Sequence, residues 1–110
     1  MIKTIDPNRE YDVLVEGKDI EPFHARIKPA TVGDFNRLQN ARMQWLSGKD
    51  EFYDEIVELT KKYTTWLEGD LDIEATISNN GSQRMVYGQL VMLSVEITNL
   101  SYVGEAEQKN

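Results

Sequence analysis

The chain has 110 residues, with 12 lysines and arginines against 19 aspartates and glutamates, a formal net charge of −7. That balance argues against a free-standing binder of nucleic-acid backbones, which needs a phosphate-neutralising surface. The absence of cysteine excludes a disulfide scaffold, a thiol nucleophile and thiolate zinc sites. With 40% of its residues apolar, the chain is long enough to bury one core and fits one domain.

Residues 1–10 are polar, carry a Pro7-Asn8 turn signal and read as an arm. Tyr11, Val13 and Val15 alternate, as do Phe23, Ala25 and Ile27. This period of two predicts an N-terminal antiparallel β-hairpin with a loop of five to seven residues around Gly17. Pro22 lacks a ladder N–H and belongs at a strand start or edge.

Thr31-Val32-Gly33-Asp34 reads as a helix cap, Thr31 accepting from first-turn amides, with Asp34 in place of the usual Glu. Phe35, Leu38, Ala41, Trp45 and Leu46 then give a helical stripe that Gly48 ends. Asp50 is the expected cap of a second helix. Its apolar positions Phe52, Ile56, Leu59, Tyr63 and Trp66 step by four and three, and Gly69 ends it. Its acids lead and Lys61 and Lys62 follow, as the helix dipole favours.

Residues 70–77 read as a short strand or an irregular connection, and 78–82 as a turn. From Gln83 to Leu100, Val86, Leu90, Leu93, Ile97 and Leu100 step by four and three, which predicts a third helix. Val91, Leu93, Val95 and Ile97 also alternate, so a hairpin through Asn80-Gly81 is the competing reading. Gly88 inside that helix marks a close crossing. The expected fold class is α+β: a hairpin, then about three helices in one domain over 1–103, then a disordered C-terminal tail over 104–110.

The charge is localised. Asp50–Glu74 holds nine acids and two bases and carries the whole −7, while the rest of the chain balances. Asp50, Glu51, Asp54, Glu55 and Glu58 on one helix are therefore a candidate acidic face. Such a face fits an inhibitor that mimics nucleic acid by presenting carboxylates to a basic groove. The alternation Glu68, Asp70, Asp72, Glu74 lacks the glycine and bidentate glutamate of a calcium loop and reads as a solvated acidic loop. His24, the lone histidine, faces away from Phe23 and Ile27, and no signature gives it a nucleophile to activate. Neither cofactor, metal nor catalytic residue is assigned. Trp45, Tyr63 and Trp66 are read as core rather than as interface anchors. The uncharged run Met85–Val95 is about half a membrane span, and the first six residues contain no apolar signal segment. The expectation is a cytoplasmic protein away from membrane and nucleic acid.

One order of features carries a resemblance. A hairpin comes first, then Phe23-His24-Ala25-Arg26-Ile27-Lys28-Pro29-Ala30-Thr31-Val32-Gly33-Asp34-Phe35-Asn36-Arg37-Leu38-Gln39, leading from strand through cap into helix. An acidic middle follows, and the chain closes with Ile97-Thr98-Asn99-Leu100-Ser101 and Gly104-Glu105-Ala106-Glu107-Gln108-Lys109-Asn110. This resembles the small tail assembly chaperones of long-tailed bacteriophages and their prophage relatives, over most of the chain. The resemblance implies a non-enzymatic protein of the host bacterial cytoplasm. It would bind the helical tape measure protein, self-associate as a homo-oligomer, and be displaced by the tail tube protein. It also implies a longer form made by a −1 frameshift, and Gln108-Lys109-Asn110 permits the slippery codons CAA AAA AAC. Patterning alone nominates the partner and self-association residues: Phe23 on the hairpin, Val86, Leu90, Leu93 and Ile97 on the last helix, and Tyr102; a helix apolar nearly all round is equally read as central in the core or as half-covered by another subunit.

Overall fold

A three-stranded antiparallel sheet is built from two distant parts of the chain. The computed structural model describes residues 8–18, 20–69, 71–73, 83–84 and 87–108, the side chains of 71, 72, 83, 84, 87 and 102–108 excepted. Strand β1 is Tyr11–Val15 and β2 is Phe23–Ile27. They pair as the predicted hairpin, Val13 opposite Ala25, across a seven-residue connection, 16–22. Helix α1 spans Val32–Leu46, a short 3-10 turn covers Asp50–Phe52, and α2 spans Tyr53–Tyr63. Strand β3, Thr64–Leu67, then pairs with β2 in the order β1-β2-β3. The two-residue strands β4 (Leu71–Asp72) and β5 (Gln83–Arg84) form a separate parallel pair, and α3 spans Tyr87–Gln108. The class is α+β, with the hairpin first and three helices after it.

The hairpin alternation puts Val15, Phe23, Ala25 and Ile27 inward, where they are buried. The helices cover that face. Leu38 and Ala41 of α1, Ile56, Leu59 and Tyr63 of α2, and Leu90, Leu93 and Ile97 of α3 join the same core. At the start of α1 the cap forms as its chemistry predicts: Asp34 N–H donates to Thr31 Oγ1 (3.2 Å). The end of α1 also follows prediction, since Gly48 takes φ 104°, the left-handed region open to glycine.

Two expectations about the second helix are corrected. Asp50 does not cap it; Asp50–Phe52 is the 3-10 turn, and neither it nor α2 begins with a side-chain cap bond. The helix also ends at Tyr63, six residues before Gly69. Thr64 and Thr65 are β-branched and favour extended backbone. Thr64 Oγ1 donates back to the Thr60 carbonyl (2.7 Å), and Lys28 N–H takes the Tyr63 carbonyl (2.8 Å), drawing the chain onto the open edge of β2. Trp66 therefore stands on the outer face of the sheet, 42% exposed, and not on a helix. Its three-residue step from Tyr63 matched helical spacing by coincidence.

The third helix is a helix and not a hairpin, but it starts at Tyr87 rather than Gln83. Asn80 and Gly81 lie outside the described residues. The backbone stays helical to Gln108, past Gly104, where the tail was expected to begin. Gly88 does mark a close crossing. A Cβ built there would lie 2.7 Å from Ile20 Cγ2, and one on Gly17 would lie 2.9 Å from Met92 Cγ. The hairpin loop thus seats on the first turns of α3 because both contacting positions lack side chains. Gly88→Ala is expected to lower stability by about 1 kcal/mol, although alanine favours a helix by a similar amount, because the overpacking cost is larger. Adding Ile20→Ala should recover most of that loss in a urea double-mutant cycle.

Thr60 is fully buried and its hydroxyl has no hydrogen-bond partner among the described residues. Thr60→Val keeps the shape and removes the unsatisfied group. The expected result is a gain of about 1 kcal/mol in urea unfolding.

Candidate functional site

The residues nominated for partner contact are mostly not surface. Phe23, Leu90, Leu93 and Ile97 are each 2% exposed or less, packed against the chain's own sheet and helices. The assignment of these four to an interface is corrected: Leu90, Leu93 and Ile97 form the core-facing side of α3 and Phe23 the inner face of the sheet, while Val91, Met92 and Val95 on the other side of α3 stay partly exposed. Val86 lies outside the described residues, as do Lys109 and Asn110. Tyr102 is known only as α3 backbone, and Gln108 is the last residue of that helix.

The acidic face is exposed at Asp50, Glu51, Asp54 and Glu58. Glu55 differs. Its carboxylate accepts from Arg37 Nε (2.9 Å), which ties α2 to α1 and holds the guanidinium's proton more firmly than usual. The run from Glu68 to Glu74 falls partly outside the described residues. Among the described residues no group of three or more metal-capable side chains converges.

The densest polar cluster centres on Asp34, which the sequence offered only as part of a cap. Its carboxylate is buried between α1 and α2. It accepts from Tyr63 Oη (2.6 Å), Lys62 Nζ (2.7 Å) and Arg37 Nη1 (3.3 Å). Tyr63 Oη in turn accepts from Thr31 N–H (3.3 Å). The hydrogen bonds from Lys62 and Tyr63 hold the Asp34 carboxyl below the usual carboxylate range, against the opposing effect of burial. The Asp34 contact likewise raises the Lys62 ammonium. Both carboxylate oxygens of Asp34 accept from donors of the same chain, so the arrangement fastens α1 to α2.

A different chemistry lies between α1 and α3. The two helices run antiparallel, since Ala30 N–H donates to Ser101 Oγ (2.7 Å) while Arg42 reaches Ser94 and Thr98. Arg42 Nη1 donates to Ser94 Oγ (3.3 Å) and Thr98 Oγ1 (3.1 Å). Those hydroxyls are already donating to the Val91 and Ser94 carbonyls (2.6 and 2.8 Å). The guanidinium is half-buried, and loss of hydration lowers its pKa from the ordinary arginine value. No carboxylate among the described residues pairs with it. Beside it, Met43 and Leu46 are 70% and 65% exposed, the most exposed large apolar side chains of the described residues. Helical spacing hid this flank, because Leu46 stood next to Trp45 and was counted with the core stripe.

The outer face of the sheet is also open. Arg26 pairs with Asp12 (2.9 Å) and lies over the Trp66 ring (5.1 Å to its centroid), and Leu14 is 44% exposed on β1. His24 is exposed on the same face, as its alternation predicts, and its backbone N–H donates to Glu68 Oε2 (2.9 Å). No helix of the described residues is long and apolar enough to cross a membrane.

No family model, no curated protein and no solved structure matches this chain.

Proposed function

We propose that the chain is a non-enzymatic tail assembly chaperone of a long-tailed bacteriophage or prophage, acting in the host bacterial cytoplasm. It would shield helices of the tape measure protein, self-associate, and release its client to the tail tube protein. The observation that carries this reading is the order of features in the sequence, from hairpin through the Thr31–Asp34 cap to the acid-rich close after Ser101. Two features of the surface support it. Met43 and Leu46 offer apolar contact on a helix flank, and the exposed acids from Asp50 to Glu58 supply the charge that keeps such a surface in solution.

The test is co-expression with the tape measure protein encoded beside this gene, followed by affinity capture. A stoichiometric complex that raises tape measure solubility is the expected result. The nucleotide sequence adds a second check: CAA AAA AAC at codons 108–110 with an overlapping −1 frame. The exposure of Asp50, Glu51, Asp54 and Glu58 favours the alternative of an acidic inhibitor mimicking nucleic acid. Failure of capture together with tight, salt-sensitive binding to a basic nuclease would replace the first reading with the second.

A further inference from the structure

The structure assigns the α1–α3 flank as a docking groove for an amphipathic helix that brings a carboxylate to Arg42. This deepens the client-binding reading and rests on it for the partner being a helical protein.

The argument begins with spacing. One turn of an α-helix takes about 3.6 residues, so Leu46 follows Arg42 on the same flank of α1, with Met43 beside it on the solvent side. Val91 and Val95 precede Ser94 and Thr98 by three on α3, and both are partly exposed. Two antiparallel helices therefore present Met43 and Leu46 on one side, Val91 and Val95 on the other, and a half-buried guanidinium between them. A pair of packed helices leaves a furrow whose natural filler is a third helix with one apolar face.

The charge selects among such helices. Arg42 spends one nitrogen on two hydroxyls that are themselves satisfied, and no carboxylate among the described residues answers its charge. Loss of its water to an apolar partner would leave a cation stranded, whereas a carboxylate forms a charge-assisted, potentially bidentate bond. The same logic disfavours a two-fold copy of this chain on the groove, since symmetry would bring two Arg42 side chains toward each other.

The probe is a fluorescein-labelled, capped 21-residue helical peptide with leucine at the a and d positions of three heptads, alanine and glutamine elsewhere, and one central glutamate beside the apolar face. Versions with glutamine or lysine at that position are the comparison. Anisotropy titrations use the full chain and low-nanomolar peptide. The glutamate peptide is expected to bind at least about tenfold tighter than either comparison. Arg42→Gln should erase that preference. Met43→Asp combined with Leu46→Asp should abolish capture of all three peptides while leaving the thermal transition in place, because both side chains are largely exposed. Equal affinity for the three peptides, absence of binding, or binding that survives the double variant would each overturn the assignment. The peptides contain no tape measure sequence, so this result and the co-expression result can fail separately.

Discussion

Leu93→Asp is expected to unfold the chain. Leu93 is 0% exposed and sits on α3 among residues from the sheet and the other two helices. Truncating a buried leucine costs about 2–5 kcal/mol before any polar group is introduced. An unpartnered carboxylate adds the cost of desolvation or of taking up a proton. A domain of this size has about 5–15 kcal/mol in total, so the sum reaches or passes the limit. The measurement is circular dichroism during urea titration, in which the variant should show no cooperative transition. A variant that stayed folded and lost only its partner would return Leu93, and with it Leu90 and Ile97, to an interface role.

Asp34→Ala should cost about 2–3 kcal/mol at pH 7, the scale of removing a buried acceptor from charged and neutral donors. Tyr63 Oη then loses the partner at 2.6 Å that holds it between α1 and α2. The pH dependence has a definite sign. The carboxyl is held below its ordinary value in the folded chain, so its stabilisation is fully present above the unfolded value of about 3.9. It is lost as pH falls through the lower, folded value. The wild-type advantage over Asp34→Ala should therefore hold at neutral pH and shrink as acid is added below about pH 4. Urea midpoints at pH 7, 5, 4 and 3 check this, and an advantage that persisted undiminished at pH 3 would remove Asp34 as its source.

The parts of the fold that were legible in the sequence are those where one periodicity stood alone. Phe23, Ala25 and Ile27 alternate with charged or polar neighbours, and Thr31 announces a cap that forms. The segment from Tyr63 to Leu67 was opaque because Tyr63 and Trp66 satisfy a helical repeat while their true roles differ, one in the core and one on the outer sheet face. The end of the helix is only partly local, in the β-branched Thr64 and Thr65; the Lys28 amide that takes the chain onto β2 lies outside any local window. The partner surface was misplaced for a related reason. Hydrophobicity marked the whole of α3, yet the face that packs on the sheet and the other two helices needs that composition merely to be in the core. The exposed pair Met43 and Leu46 carried no distinguishing pattern, since exposure depends on which neighbour is missing. Asp34 read as a cap residue because its three donors come from positions 37, 62 and 63, and only the first is local.

Helix α2 passes into β3 without an intervening residue: Tyr63 closes one element and Thr64 opens the next. A residue inserted at that joint would turn the helix by about 100° relative to the strand, or reverse which strand residues face inward. Either outcome displaces Ile56, Leu59 and Tyr63 from the core or exchanges Trp66 with Leu67. Neither side can absorb the change alone, because β3 is registered on β2 and α2 is fastened to α1 through Asp34 and Arg37. Variation in chain length among any descendants of this sequence should therefore be purged at 63–64 and tolerated at the exposed Ser47–Lys49 connection, which makes the joint a fixed reference point for aligning remote kin.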